Sequence, residues 1–226
     1  MARPVLVVGN KNYSSWSLRP WLALRMAGVD FEEVRIPLYA PASRAEILRW
    51  SPAGKVPVLR HGDVTVWESL AICEYAAEVL APDAGLWPAE RVARAHARTI
   101  SAEMHAGFGA LREAMPMNLR ARVRLPLAPA VRADVERVLA LWNDCRERFG
   151  AGGPFLLGAF TIADAMYAPV VTRFHSYGVA LPPASQAYAD AVRTLAPMRE
   201  WAEAGVAETE RIAATDEVAL RASAGS

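Results

Sequence analysis

The chain has 226 residues, of which 53% are hydrophobic and 22% charged, a composition typical of a folded globular protein with a sizeable core. Its formal net charge is +1, from 25 basic and 24 acidic residues, so the charge favours neither a nucleic-acid-binding protein nor a disordered acidic one. Only two cysteines are present, without a CxxC pattern, and no signal-peptide core or apolar run of about 18 residues occurs. We therefore expect a cytoplasmic protein with no membrane or nucleic-acid partner.

The first 80 residues alternate between strand-like and helix-like patterns. Residues 5–8 form a short apolar run that ends at Gly9, which is typical of a buried strand. A polar loop and a helical pattern ending near Gly28 follow. The later elements are a strand at 31–38, a hairpin of strands at 56–59 and 64–67, and a helix at 69–80. The predicted order is β-α-β-α-β-β-α, which favours a single sheet with helices on its faces.

The rest of the chain has helical patterns only. Prolines between residues 82 and 88 interrupt the pattern, and we place a domain boundary there. Long amphipathic stretches at 91–115 and 129–149 predict two helices, and shorter ones lie at 161–177 and near Ala187 and Trp201. The predicted division is residues 1–81, an all-helical domain at 89–212, and a flexible tail of small and polar residues at 213–226.

Four short motifs in this layout carry a family resemblance. They are Tyr13-Ser14-Ser15-Trp16-Ser17-Leu18-Arg19, Lys55-Val56-Pro57, Glu68-Ser69, and Gly158 with Thr161-Ile162-Ala163-Asp164. Together they resemble the cytosolic glutathione S-transferases, and the serine loop is similar to that of the zeta class. The resemblance spans about residues 4–205 and implies a thioredoxin-like N-terminal domain followed by an all-helical C-terminal domain. It also implies glutathione as co-substrate.

The resemblance assigns the paired serines, Ser14 and Ser15, to catalysis. A serine hydroxyl donates a hydrogen bond to the glutathione sulfur, and the N-terminus of the following helix adds partial positive charge. Both effects lower the thiol pKa and favour the nucleophilic thiolate. In the zeta-like pattern the first serine, Ser14, ranks above Ser15. The alternative is that these serines only cap a helix.

The resemblance also implies the residues that bind glutathione: Lys55, Val56, Pro57, Glu68 and Ser69. The bond before Pro57 is expected to be cis, Lys55 is a candidate partner of the glycyl carboxylate, and Glu68 and Ser69 hold the γ-glutamyl end. The alternatives are an ordinary trans proline at a strand start and simple helix capping.

A second pocket for the electrophile is expected beside the serine loop. Its predicted residues are Trp16, His105, Phe108, Arg112, Met115 and Arg173. The two arginines suit a carboxylate-bearing substrate, whereas Phe108 and Met115 at helical spacing are equally typical of core packing. Trp16 replaces the cysteine that zeta enzymes carry there, and it is either a pocket wall or a packing residue. The four histidines show no metal-binding spacing, so no metal site is expected.

These residues favour an enzyme that conjugates glutathione to a small electrophile. A zeta-like isomerase of the maleylacetoacetate type is the more specific version, and Trp16 counts against it. A non-catalytic binding or regulatory protein of the same fold is the other alternative. The family layout implies a homodimer. Finally, Thr161 and Asp164 predict a helix capping box, with Asp in place of the usual Glu or Gln.

Overall fold

The computed structural model describes residues 2–224. Its first part is a four-stranded sheet in the order β2-β1-β3-β4. β1 (Val5–Val8) pairs in parallel with β2 (Glu32–Arg35) and antiparallel with β3 (Val58–His61). β3 continues through a hairpin into β4 (Val64–Trp67). The short apolar runs therefore form the strands that their β-branched content predicts.

Three helices cover this sheet and complete the predicted β-α-β-α-β-β-α order. They are α1 (Ser15–Met26), α2 (Ser43–Leu48) and α3 (Ser69–Tyr75), and a π-helical turn, Ala76–Leu80, extends α3. Pro20 lies in α1, whose side chains from Leu18 to Leu24 are buried almost all round. The reason is that α1 packs against α3 on one side and against helices of the second half on others.

The second half is helical. Its helices are α4 (Arg91–Ala106), α5 (Gly109–Ala114), α6 (Pro129–Phe149), α7 (Ile162–Ser176), α8 (Pro183–Thr194), α9 (Ala196–Ala207) and α10 (Ala213–Ala224). α7 is buried along nearly its whole length and contacts α1, α4 and α8. One hydrophobic core joins side chains of α1 to side chains of α7, so it crosses the predicted domain boundary. The thioredoxin-like N-terminal sheet and the all-helical second half confirm the fold that the resemblance implied.

The single helix predicted over 91–115 is wrong, because the chain breaks between α4 and α5. Gly107 still donates its N–H to the carbonyl of Glu103, but Phe108 then takes a left-handed conformation with φ +62°. This turn directs the Phe108 ring into the core, and Asp134 accepts the backbone N–H of Leu111 in α5. The apolar spacing continues across the break, so periodicity alone does not reveal it.

The tail predicted to be flexible contains α10 instead. The Asp216 carboxylate accepts the Tyr13 hydroxyl at 2.9 Å and the Asn118 side-chain amide at 2.9 Å. These two bonds attach α10 to the serine loop and to the segment after α5. Residues 225 and 226 of the predicted tail lie outside the described part of the chain. Within residues 2–224, no helix is both long and apolar enough to cross a membrane.

Candidate active site

A cavity of about 220 Å³ lies between the start of α1, the loop before β3 and the start of α3. We call it the Ser69 cavity, and its lining residues are Trp16, Ala53, Lys55, Val56, Pro57, Trp67, Glu68 and Ser69. The structure thus gathers all five predicted glutathione-binding residues, together with Trp16, around one space. Neither Ser14 nor Ser15 lines it.

The backbone around the Ser69 cavity has two unusual features. The Val56–Pro57 bond is cis, as expected, and Glu68 has φ +70°, a left-handed value that non-glycine residues rarely adopt. Ser69 follows Glu68 directly and is 1% exposed, and its hydroxyl has no hydrogen-bond partner among the described residues. A buried polar atom without a partner costs free energy, so this hydroxyl is suited to a ligand group.

One helix of the second half contacts two of the residues that line this cavity. His105 of α4 lies with its Nε2 3.6 Å from a carboxylate oxygen of Glu68, and its ring meets the Trp16 ring edge-on at 5.3 Å. Burial, and then the nearby Arg19, lower the pKa of His105, and Glu68 opposes this shift. The predicted pocket residues His105 and Trp16 are therefore neighbours in space.

The paired serines are both buried but have different partners. Ser14 is the N-cap of α1: its hydroxyl accepts the Ser17 N–H at 3.4 Å and donates to the Ser17 hydroxyl at 2.8 Å. Ser17 is itself fixed, because its hydroxyl accepts the N–H of Gly9. The Ser15 hydroxyl instead accepts a hydrogen bond at 3.0 Å from the guanidinium of Arg173 in α7. Ser14 therefore caps α1, whereas Ser15 is hydrogen-bonded to a helix of the second half.

Three arginines surround Trp16 and Ser15, and we call them the arginine cluster: Arg19, Arg112 and Arg173. The guanidinium carbons of Arg19 and Arg112 lie 4.3 and 4.8 Å from the centre of the Trp16 ring, within cation–π range. Arg173 donates its Nε–H to the carbonyl oxygen of Met115 at 2.8 Å. Within residues 2–224, none of the three forms an ion pair with a carboxylate.

The positive charges of the arginine cluster are largely buried and are not neutralised by a carboxylate of the described residues. Arg19 is fully buried and Arg173 is 4% exposed. Burial and then the charge of Arg112 lower the pKa of Arg173 to about 9, and burial followed by Arg112 and Arg173 lowers that of Arg19. Both terminal nitrogens of Arg19, and one of Arg173, lack hydrogen-bond partners among the described residues. Buried charges are normally paired, so the cluster fits an anionic group that comes from outside the chain.

Comparison with protein-family models decides the family. The model described as "Glutathione S-transferase, N-terminal domain" matches residues 13–79, and the one described as "Glutathione S-transferase, C-terminal domain" matches residues 89–204. The chain belongs to the glutathione S-transferase family.

Individual relatives agree with this family. The chain is 35% identical over 106 residues to a probable maleylacetoacetate isomerase of Caenorhabditis elegans, covering 47% of this chain and 48% of that protein. It is 39% identical over 83 residues to glutathione S-transferase 1 of Dianthus caryophyllus, covering 36% and 37%. The chain thus spans about half or less of the length of these curated relatives.

A solved structure shares the fold. It is a glutathione transferase homologue from Burkholderia with bound glutathione, and it superposes with a TM-score of 0.70 at 23% identity. The match covers 92% of this chain and 100% of that one.

Of the six residues predicted for the electrophile pocket of this glutathione S-transferase fold, only Trp16 lines the Ser69 cavity. Phe108 and Met115 pack their side chains in the hydrophobic core, as the alternative interpretation held, and neither lines the Ser69 cavity. The Met115 carbonyl oxygen accepts a hydrogen bond from Arg173. Arg112 donates to the carbonyl oxygens of Gly107 and Met104, so it also holds the turn between α4 and α5.

Sequence reasoning missed Arg19 as a candidate site residue of this family member. The signal was present, because Arg19 is the only polar residue in the stretch from Leu18 to Leu24. A cationic side chain in such a stretch is either exposed on one face of the helix or buried at a functional site. Only the tertiary structure distinguishes these two cases. Among the described residues, no group of three His, Cys, Asp or Glu side chains is placed to hold a metal ion.

Proposed function

We propose that this protein is a catalytic glutathione S-transferase that binds glutathione, stabilises its thiolate and transfers it to a small electrophile. The observation that carries the proposal is the Ser69 cavity: the five residues expected to bind glutathione meet there around a buried Ser69 hydroxyl that lacks a protein partner. A ligand carboxylate would satisfy that hydroxyl, since hydrogen bonds to charged acceptors are stronger than neutral ones.

Each end of glutathione has a partner of opposite charge in the cavity. The γ-glutamyl end carries an ammonium group and a carboxylate, which suit the Glu68 carboxylate and the Ser69 hydroxyl. The glycyl carboxylate suits Lys55, which lines the same cavity. The sulfur of the middle residue then belongs near Trp16 and the paired serines.

The electrophile that fits the site best carries a carboxylate. The arginine cluster offers several unpaired N–H groups beside Trp16, and a guanidinium binds a carboxylate through two parallel hydrogen bonds. An indole ring next to these groups suits a flat, conjugated substrate. We therefore place unsaturated carboxylic acids first among candidate electrophiles.

A second candidate function is the isomerisation of an unsaturated diacid. The arginine cluster favours it, because several guanidinium groups would suit two carboxylates, and the Caenorhabditis elegans relative is named a probable maleylacetoacetate isomerase. Trp16 in place of the zeta-class cysteine counts against it. Incubation of maleylacetoacetate with glutathione and this protein would separate the two: isomerisation regenerates free glutathione, whereas conjugation consumes it.

The experiment that tests the main proposal is a glutathione titration of the purified protein, followed by thiolate absorbance in the ultraviolet across pH. We expect saturable binding, a thiol pKa well below its free value, and binding weakened by Ser69→Ala. Thr65→Ala, on β4 outside the cavity lining, is the control. Absence of binding, or binding without thiolate at neutral pH, would favour the non-catalytic alternative instead.

We further propose that the protein is a homodimer. Val64 on β4, Val79 after α3 and Val92 at the start of α4 are exposed apolar side chains that a second subunit would cover. Light scattering of the eluting protein should give twice the chain mass, and Val92→Glu should shift it towards the monomer. Val206→Glu, an equally exposed valine on α9, is the matched control.

A further inference from the structure

The helical second half contains a cavity of about 490 Å³, larger than the Ser69 cavity. It lies between α7, the end of α8, α9 and the segment that follows α5, and we call it the Met198 cavity. The residues that line it include Leu119, Arg122, His175, Arg193, Met198 and Val206. Among the described residues, none lines both this cavity and the Ser69 cavity, and no member of the arginine cluster lines it. The Met198 cavity is therefore a separate space from the candidate active site.

One part of the Met198 cavity is apolar. Met198, Ala202 and Val206 recur at every fourth position of α9, so they form one stripe along that helix. Leu119, from the segment after α5, lines the same space. Met198 and Leu119 are buried, whereas Val206 is 51% exposed. The cavity thus combines a buried apolar part with an open rim, which suits the apolar body of a small ligand.

The other part of the cavity is positively charged. Arg122 follows α5, Arg193 lies in the last turn of α8, and Arg199 lies in α9. Within residues 2–224, neither Arg122 nor Arg199 forms an ion pair with a carboxylate, and Arg122 donates only to the carbonyl oxygens of the neighbouring segment. Glu203 is the single acidic residue of the described lining, so positive charge is in excess there.

Two of these cations lie close to the same histidine. Arg193 donates to Nε2 of His175 at 3.2 Å, and it also pairs with Asp190 at 3.4 Å. Burial, and then Arg193 and Arg122, lower the pKa of His175, and Asp190 opposes this shift. Burial and then the charge of Arg193 lower the pKa of Arg122. The two guanidinium groups therefore repel each other, and an anionic group bound beside both would offset this repulsion.

We propose that the Met198 cavity is a second ligand site, which binds a small amphipathic carboxylate. The apolar body packs on Leu119 and the α9 stripe, and Arg122 and Arg193 hold the carboxylate. A guanidinium binds a carboxylate through two parallel hydrogen bonds, and a mostly apolar cavity with a few convergent polar groups is typical of ligand sites. Binding involves no covalent step, and it does not depend on the proposed glutathione transfer.

The test is a calorimetric titration of the purified protein with 2-naphthoate in the presence of saturating S-hexylglutathione. The glutathione derivative is chosen to occupy the Ser69 cavity and the space beside it. We expect one 2-naphthoate bound per chain. The amide 2-naphthamide has nearly the same shape without the charge, so it should bind at least about tenfold more weakly. Equal affinity for the two compounds would overturn the role of the arginines.

Two variants test the arginines directly. Arg122→Gln and Arg193→Gln should each weaken 2-naphthoate binding by about tenfold, because each removes a charge-assisted hydrogen bond. The matched control is Arg148→Gln on α6. Arg148 is exposed to a similar degree and pairs with Asp144 one turn away, as Arg193 pairs with Asp190. Its replacement should change the affinity less than about twofold, and equal losses in all three variants would contradict the proposal.

A variant of the apolar part completes the test. Ala202→Trp places an indole within the α9 stripe and should abolish 2-naphthoate binding while S-hexylglutathione still binds. If this variant does not fold, the two glutamine variants decide, since the side chains that they replace are at least partly exposed. Binding that is lost in Arg19→Met but kept in Arg193→Gln would place the ligand at the arginine cluster and overturn this inference.

The two ligands also separate this inference from the proposed function. A protein that binds S-hexylglutathione but no 2-naphthoate would overturn the second site alone. A protein that binds 2-naphthoate in an Arg193-dependent way but no S-hexylglutathione would support the second site and count against glutathione transfer.

Discussion

The carboxylate of Asp164 accepts two hydrogen bonds from Thr161, one from its backbone N–H at 2.8 Å and one from its hydroxyl at 3.1 Å. The second carboxylate oxygen accepts the N–H of Leu156 at 3.0 Å. Asp164 thus fixes the start of α7 to the loop before it. Arg173 lies nine residues further along the same helix. This cap therefore also helps to fix the position along the helix axis at which the Arg173 guanidinium contacts Ser15.

Replacement of the cap residue should destabilise the protein. Thr161→Ala removes an N-cap side chain that is almost fully buried, and the expected loss is about 1 kcal/mol of unfolding free energy, the usual cost of losing such a cap. Thr161→Ser keeps the hydroxyl and should lose less. Urea unfolding of the three proteins checks this, and equal midpoints would show that the cap contributes nothing.

Asp164 should make stability depend on pH. Burial raises the pKa of Asp164 to about 6, although its hydrogen bonds to Leu156 and Thr161 oppose the shift. The folded-state pKa is therefore above the unfolded value, so the folded protein binds the proton more tightly. This contribution is fully present below about pH 4 and is lost as the pH rises through 6, a change of about 3 kcal/mol.

The measurement is the difference in unfolding free energy between wild type and Asp164→Asn across pH 4 to 7. Asn does not titrate, so the stability of the wild type relative to the variant should fall as the pH rises. Asp190→Asn, which removes an exposed carboxylate of α8, is the control with which the Asp164→Asn profile is compared. A flat profile for Asp164→Asn would mean that the buried carboxylate is ionised throughout.

Local patterns were sufficient to predict the sheet, most helices and the capping box. Val5–Val8 is a short apolar run bounded by Gly9, and Thr161 with Asp164 is a local signal four residues long, so no distant contact is needed to recognise either. The position of Ser69 beside the cis Val56–Pro57 bond was predictable only through the family resemblance.

The features that the sequence did not reveal depend on contacts between distant residues. The break at Phe108 forms because its ring is buried in the core and Asp134 from α6 binds the start of α5. α10 depends on Asp216 reaching Tyr13, which is about 200 positions away in the chain. The buried charge of Arg19 is visible only once α7 is packed on α1, since the same sequence in an isolated helix would expose it.

The attachment of α10 should depend on Asp216. This carboxylate accepts the Tyr13 hydroxyl and the Asn118 amide, so Asp216→Ala leaves both donors unsatisfied at a partly buried site. We expect faster amide hydrogen exchange in α10 and faster proteolysis near residue 211, with little change in the exchange of α7. Tyr13→Phe should have a smaller effect in the same direction. Unchanged protection of α10 in Asp216→Ala would show that other contacts hold this helix.

Arg19 should lower the unfolding free energy of the protein, although it contributes to the binding of a carboxylate-bearing ligand. A fully buried guanidinium with two unpartnered nitrogens costs free energy, whereas methionine fills a similar space without charge. We therefore expect Arg19→Met to raise the unfolding free energy by about 1 kcal/mol or more. The same change should weaken the inhibition of glutathione transfer by a carboxylate-bearing substrate analogue by about tenfold, since a charge-assisted hydrogen bond is lost.

The matched control for this prediction is Arg60→Met. Arg60 also places its guanidinium over an indole ring, that of Trp50 at 4.8 Å, but it is only partly buried and lies away from the arginine cluster. Its loss should leave inhibition unchanged and should not stabilise the protein. If Arg19→Met instead destabilised the protein and left inhibition by the analogue intact, Arg19 would be a packing partner of Trp16 rather than part of an anion site. Arg19→Met is thus expected to raise the unfolding free energy and to weaken inhibition by the analogue. This combination distinguishes a buried charge that binds a ligand from one that only packs.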